Sequence, residues 1–176
     1  MKNLLFLLLA FFTLSCCNKD DDKPKTELEK LPPATQTGAN TFGCLLDGQA
    51  FIPSGGINPL DCVYQFVNGG YYFALQGNKR NQNNTLVGIS VGTQNLQIYQ
   101  NQTLRLSNNE MGNASGGYFY GASWNYTSSV NDGELKITKL DTQNQILSGT
   151  LWFDVKDQNG VIHEIREGRF DMQYTQ

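Results

Sequence analysis

From Thr41 onward, apolar and polar residues alternate along most of this chain with a period of two, which is the signature of half-buried strands. Phe42, Cys44 and Leu46 share one side of a run that ends at Asp47-Gly48, a dipeptide that favours a two-residue hairpin. Residues 63–66 and 71–75 flank Asn68-Gly69-Gly70, a second hairpin signal. Val87, Ile89 and Val91 fall on one face of residues 86–91, residues 96–106 form a further candidate strand, and residues 118–126 follow a Gly-rich turn. Leu135 and Ile137 alternate with Glu134, Lys136 and Thr138; Leu151, Phe153 and Val155 alternate with Thr150, Trp152 and Asp154. Asp157-Gln158-Asn159-Gly160 turns the chain into residues 161–165, and Phe170, Met172 and Tyr174 alternate in a last strand. No stretch has the periodicity of an amphipathic helix. About nine or ten short strands at regular spacing predict an all-β fold, a single antiparallel sandwich or barrel-like domain.

The pattern ahead of Thr41 is different. Lys2 precedes an apolar run, residues 4–14, broken only by Thr13. Eleven residues suit a signal-peptide core and fall well short of the roughly 20 needed to span a bilayer as a helix. The run ends at Ser15-Cys16-Cys17, where a cysteine after a small residue reads as a lipobox. Residues 1–15 are therefore expected to be a lipoprotein signal peptide, with Cys16 as the lipid attachment residue and Cys17 as the alternative. Two or three acyl chains on that cysteine anchor a protein stably, where one chain binds only marginally. Residues 18–30 are nearly all charged and offer only Leu28 for burial, so residues 16–36 are expected to be the lipidated N-terminus and a disordered tether. The β domain is then residues 37–176. The run Asp20-Asp21-Asp22 fits either an outer-leaflet sorting signal or a solvated spacer.

Composition narrows the partners. Losing residues 1–15 removes one charge, Lys2, so the formal net charge moves from −3 to −4. No basic cluster offsets that acidity, which argues against nucleic acid as a partner. Only 16% of residues are charged, while Gly, Asn, Gln, Thr and Ser are abundant, as suits an exported, turn-rich β protein. The expected address is the cell envelope, as an outer membrane lipoprotein on its periplasmic or outer surface, held to the membrane by its lipid.

Two stretches carry a family resemblance. Residues 31–44, with Leu31-Pro32-Pro33 and Gly43-Cys44 at their ends, lead into Asp47-Gly48-Gln49-Ala50-Phe51-Ile52-Pro53. Near the other end stand residues 133–137, then Leu147-Ser148-Gly149-Thr150-Leu151 and Glu167-Gly168-Arg169-Phe170-Asp171. Together they resemble the start and finish of a family of uncharacterised Bacteroidetes lipoproteins built on a domain of unknown function. The resemblance implies a β-rich envelope lipoprotein and implies no activity.

Motifs with catalytic letters are weak in their context. Gly88-Ile89-Ser90-Val91-Gly92 matches the nucleophile elbow of serine hydrolases, but that elbow needs a strand-to-helix turn, and here it lies inside an alternating strand. His163 is the only histidine, so any triad or histidine-bearing metal site would have to use it; its alternation with Val161 and Ile165 reads as an ordinary strand position. Asp154, Glu164, Glu167 and Asp171 lie on neighbouring predicted strands, yet no spacing singles out the pair that glycoside hydrolysis requires. Residues 157–160 have calcium-like letters without the six or more oxygen ligands such a loop supplies. No metal and no cofactor are expected. Cys44 and Cys62 sit on early strands that could be neighbours, and a disulfide between them, worth roughly 3 kcal/mol, is expected over two buried thiols.

The aromatics carry the hint of a ligand. Tyr118, Tyr120, Trp124 and Tyr126 are expected on the same face of one strand, either as core or as a stripe that stacks sugar rings. Trp152 stands on the polar face of its strand, opposite Leu151, Phe153 and Val155, and is the first candidate contact residue. The function expected is a non-catalytic envelope domain that binds a glycan, a peptide or a partner protein. The alternatives are a β-barrel carrier of a small apolar ligand and a carboxylate-dependent glycan hydrolase.

Overall fold

The computed structural model describes residues 24–176. The signal peptide, Cys16, Cys17 and the first part of the expected tether lie outside the described residues. What is described is all β: eleven strands, with one 3-10 turn at Leu28–Lys30 and no α-helix among them. The strands are β1 (Thr41–Leu46), β2 (Gln49–Phe51), β3 (Leu60–Val67), β4 (Gly70–Arg80), β5 (Leu86–Thr93) and β6 (Thr103–Leu106). They continue as β7 (Ala114–Tyr120), β8 (Ser123–Tyr126), β9 (Gly133–Asp141), β10 (Ile146–Lys156) and β11 (Ile162–Gln173).

All belong to one sheet, in the order β2-β1-β11-β10-β9-β6-β7-β5-β4-β3, with β8 paired to β7 off that path. Every ladder is antiparallel except the single β6–β7 pair, Leu106 with Ala114. The hairpins predicted at Asp47-Gly48 and Asn68-Gly69 form, and both residues of each turn take positive φ, as a type I′ turn demands. The β3 end of the sheet then returns toward the opposite end, where β11 is the third strand. Beyond β11, Thr175 donates to the Cys62 carbonyl and accepts from the Tyr64 amide, each at 2.9 Å, so β3 is bridged to the continuation of β11. The sheet therefore curls on itself, barrel-like, around one core.

Alternation decides what that core contains. Phe73, Leu75, Ile89, Leu135, Ile137, Phe153 and Ile165 are at most 1% exposed and point inward from five strands. Large rings lie over glycines of facing strands. Phe153 covers Gly116, Phe42 covers Gly77 and Phe170 covers Gly149. Phe73 of β4 and Phe170 of β11 meet across the interior, their ring centroids 6.1 Å apart.

Five expectations are corrected. The expected tether is not free up to residue 36: from Glu27 it docks on the domain. Glu27 accepts a hydrogen bond from the Ala50 amide, Leu31 is buried, and Pro32 packs on Gly43. Within residues 96–106 only Thr103–Leu106 is strand, because Asn95 and Asn101 take left-handed φ and turn the chain on either side of buried Ile98. The two last predicted strands are one, β11, interrupted by a bulge with Glu167 at φ 54°. Residues 118–126 are the β7–β8 hairpin rather than one strand. The Cys44–Cys62 disulfide is absent: β1 pairs with β2 and β11, β3 with β4, so the two strands are not neighbours. Both cysteines are buried free thiols, and burial pushes each up to about 12.

Candidate functional site

The outer face of β9–β10–β11 carries Trp152, and the β11 bulge explains its setting. In the β10–β11 ladder Leu151 faces Gly168 and Phe153 faces Ile165, so Trp152 alone stands opposite Arg166 and Glu167. One residue against two is the definition of a bulge, and bulges re-aim side chains. Here the re-aimed side chain is Arg166. Its Nη1 donates to the Phe153 and Ile165 carbonyls at 3.1 and 3.0 Å. Its Nη2 lies 2.7 Å from Asp154 Oδ1, close enough for an ion pair although its angle misses a hydrogen bond. Held in this way, the guanidinium sits 5.6 Å from the centroid of the Trp152 ring, within cation–π range.

Trp152 remains 42% exposed, while Leu151, Phe153 and Val155 on the inward face are at most 3% exposed, as the alternation predicted. Across the other ladder Trp152 faces Glu134. Ala34, Glu134, Thr150, Trp152, Arg166 and Arg169 line an open groove of about 580 Å³. Ala34 belongs to the docked segment ahead of β1, so that segment forms one wall. Arg169 faces Thr150 across the ladder. Its Nε donates to the Glu167 carbonyl at 3.2 Å, but its buried Nη2 has no hydrogen-bond partner among the described residues. The nearest carboxylate oxygen, on Glu167, is 4.0 Å away. Trp152 was legible from alternation; the two arginines were not, although a Glu-Gly pair inside an alternating strand is a bulge signal.

The other aromatics divide between two faces. Tyr118 is 6% exposed and stacks on His163, centroids 4.2 Å apart. Trp124 and Tyr126 lie on the opposite face with Phe119, whose ring covers Gly88; Trp124 stacks on Phe119 at 4.3 Å. The expected single stripe of Tyr118, Tyr120, Trp124 and Tyr126 is therefore not formed.

His163 has partners that the sequence did not suggest. Its Nδ1 lies 2.8 Å from Asp47 in the β1–β2 turn and its Nε2 lies 3.7 Å from Asp157 in the β10–β11 turn. Burial works against the charged form of Asp157, but hydrogen bonds from Val161 and Asn159 outweigh it and hold the carboxyl below its ordinary range. Those same bonds make residues 157–160 a side-chain-capped turn. Ser90 lies within β5, opposite Gly117 and Gln76, with no helix after it to form an elbow. Of the four carboxylates, Asp154 and Glu164 face each other across the ladder and meet on Arg166 Nη2, at 2.7 and 3.4 Å, while Glu167 lies 4.0 Å from Arg169 and Asp171 is enclosed elsewhere.

Asp171 is enclosed. Thr35 Oγ1 (2.6 Å), the Thr37 amide and hydroxyl, the Gly38 and Ala39 amides, and Ser148 Oγ (2.8 Å) all donate to it. Burial alone would raise its pKa; the donors outweigh burial and hold the carboxyl well below the usual carboxylate range. It is a fastening for residues 35–39, saturated by its donors. Among the described residues no cluster of three or more His, Cys, Asp or Glu side chains is arranged to hold a metal ion.

No family model matches the chain, and no curated protein or solved structure is similar to it.

Proposed function

We propose that this chain is an envelope lipoprotein, anchored through Cys16, whose β domain binds a glycan without catalysis in the groove at Trp152. The observation that carries this reading is an exposed indole on the outer sheet face, braced by Arg166 beside a groove of about 580 Å³. A fixed aromatic plane rimmed by hydrogen-bonding side chains suits the apolar face and the hydroxyls of a sugar ring. Pre-organisation matters, because a side chain that is already immobile loses little entropy when a ligand arrives.

The test is a glycan array probed with the full-length lipoprotein in detergent, with Trp152→Ala beside it. Retention of one glycan class by the wild type, lost in the variant with an unchanged melting temperature, is the expected result. Retention unaffected by Trp152→Ala, or no retention of any glycan, overturns the reading. Anchoring is tested separately with a fatty-acid probe, whose label should disappear in Cys16→Ala; a label that persists there and is lost in Cys17→Ala moves the attachment by one residue.

A further inference from the structure

We infer that the outer face of β4, β5, β7 and β8 is a second carbohydrate surface, separate from the Trp152 groove, and that it takes an uncharged polysaccharide chain. The observation is a pair of open rings on β8. Trp124 is 45% exposed and Tyr126 40% exposed. Their planes are 19° apart and their centroids 6.2 Å apart. Each ring is held from beneath. Trp124 stacks on Phe119, which itself covers Gly88. Tyr126 leans over Gly117, where a Cβ would come within 3.3 Å of its ring. Rings fixed in this way lose little entropy when a ligand covers them. Being near-parallel and spaced along one strand, they offer a plane to each of two successive sugars.

What surrounds the rings sets the chemistry of the ligand. Tyr126 borders an open groove of about 310 Å³ in which no lining residue is charged; Tyr72, Gln76, Ser90, Gln94 and Asn109 supply its hydroxyls and amides. Ser90 Oγ stands over the same glycine as the Tyr126 ring. A hydroxyl therefore lies beside an aromatic plane, which matches the apolar face and the hydroxyls of a sugar. Across the ladders the row runs Tyr126, Gly117, Ser90, Gln76, and the first charge in it is Asp61, on β3. An acidic chain would find no cation in this row, so charge complementarity favours a neutral one. Faces that settle on lipid carry Lys or Arg beside their aromatics, and the row has neither. The Trp152 face differs, with Arg105, Glu134 and Arg166 gathered near its indole.

The chain has 2 tryptophans, so each surface can be given its own reporter. In the full-length lipoprotein in detergent, Trp152→Phe leaves Trp124 as the one indole, and Trp124→Phe leaves Trp152. Both proteins are titrated with dextran, xyloglucan, galactomannan and a β-1,3-glucan while tryptophan emission is followed. At least one chain should shift the Trp124 emission saturably, and rising salt should leave that response unchanged. Adding Tyr126→Ala should weaken it about tenfold. Trp124 emission unmoved by every neutral chain overturns the inference, and a response from Trp152 in that case leaves the groove reading standing. A shift produced without sugar, by mixed micelles of phosphatidylethanolamine and phosphatidylglycerol or by raising the protein concentration, makes the occupant lipid or a second copy and overturns it. So does a sulfated or carboxylated chain that binds at Trp124 more tightly than every neutral one.

Discussion

Asp171 is a carboxylate whose every strong contact is a donor: three backbone amides and three hydroxyls, two of the hydroxyls on the segment that leads into β1 and one on β10. Its folded pKa lies below the unfolded value of about 3.9. The stability it contributes is therefore complete above about pH 4 and is lost as pH falls through that value toward the folded one. Thermal melts between pH 6 and pH 2 should show a steep acid loss in the wild type and a flatter limb in Asp171→Asn. At pH 6 the variant should be about 3 kcal/mol less stable, since an amide cannot accept from all six donors. Equal acid limbs in the two proteins would mean that the carboxylate is not the group being titrated. None of this was visible from the sequence, where Asp171 read as one of several carboxylates on a wet strand face. Five of the six donors come from residues more than 130 positions away in the chain, and alternation has no reach over that distance.

Among the elements, alternation placed β1, β3, β4, β5, β9 and β10 because each keeps one face in the core. It failed where the chain changes face without a familiar turn dipeptide. Tyr118, Tyr120, Ala122, Trp124 and Tyr126 keep even spacing through Gly121-Ala122, but the hairpin pairs Tyr120 with Ser123. Cross-strand partners share a face, so parity inverts at the turn and Trp124 joins Phe119. The β11 bulge inverts parity in the same way, and Glu167 bears its cost, since a side chain at φ 54° is strained by about 1 kcal/mol. Glu167→Gly should therefore be neutral or more stable by up to about 1 kcal/mol, and Glu167→Val clearly less stable, in urea melts. If Glu167→Gly instead loses more than a kcal/mol, the left-handed turn is not what shapes the bulge. The same bulge sets Arg166 against Trp152, so half of the candidate site is a property of backbone geometry rather than of any residue pattern.

At the scale of the whole molecule, the single bridge from Thr175 to β3 pairs part of what would otherwise be an open edge. Unpaired edges template aggregation, and only closure removes them. Tyr174 adds to the seal: it is buried and meets Tyr64 edge-on, centroids 5.8 Å apart. Deleting residues 174–176 should speed hydrogen exchange at the Tyr64 amide by at least tenfold, while the Ile89 and Ile137 amides, deep in the sheet, change far less. Uniform acceleration everywhere would mean that the tail supports the global fold rather than a local seam.

The docked segment ahead of β1 also decides how the domain carries mechanical load. Tension on the chain upstream of Leu31 is taken first by buried Leu31 and by Pro32 against Gly43, and then reaches Asp171, where five donors from residues 35–39 hold one carboxylate and are stretched side by side. Bonds loaded in parallel must yield together, unlike the edge of a sheet, which unzips pair by pair. Asp171 itself lies on β11, with β1 on one side and β10 on the other. A pull on the leading segment is thus delivered into the interior of the sheet and spread over three strands, and on its way it passes through Ala34, the wall that this segment lends to the groove at Trp152.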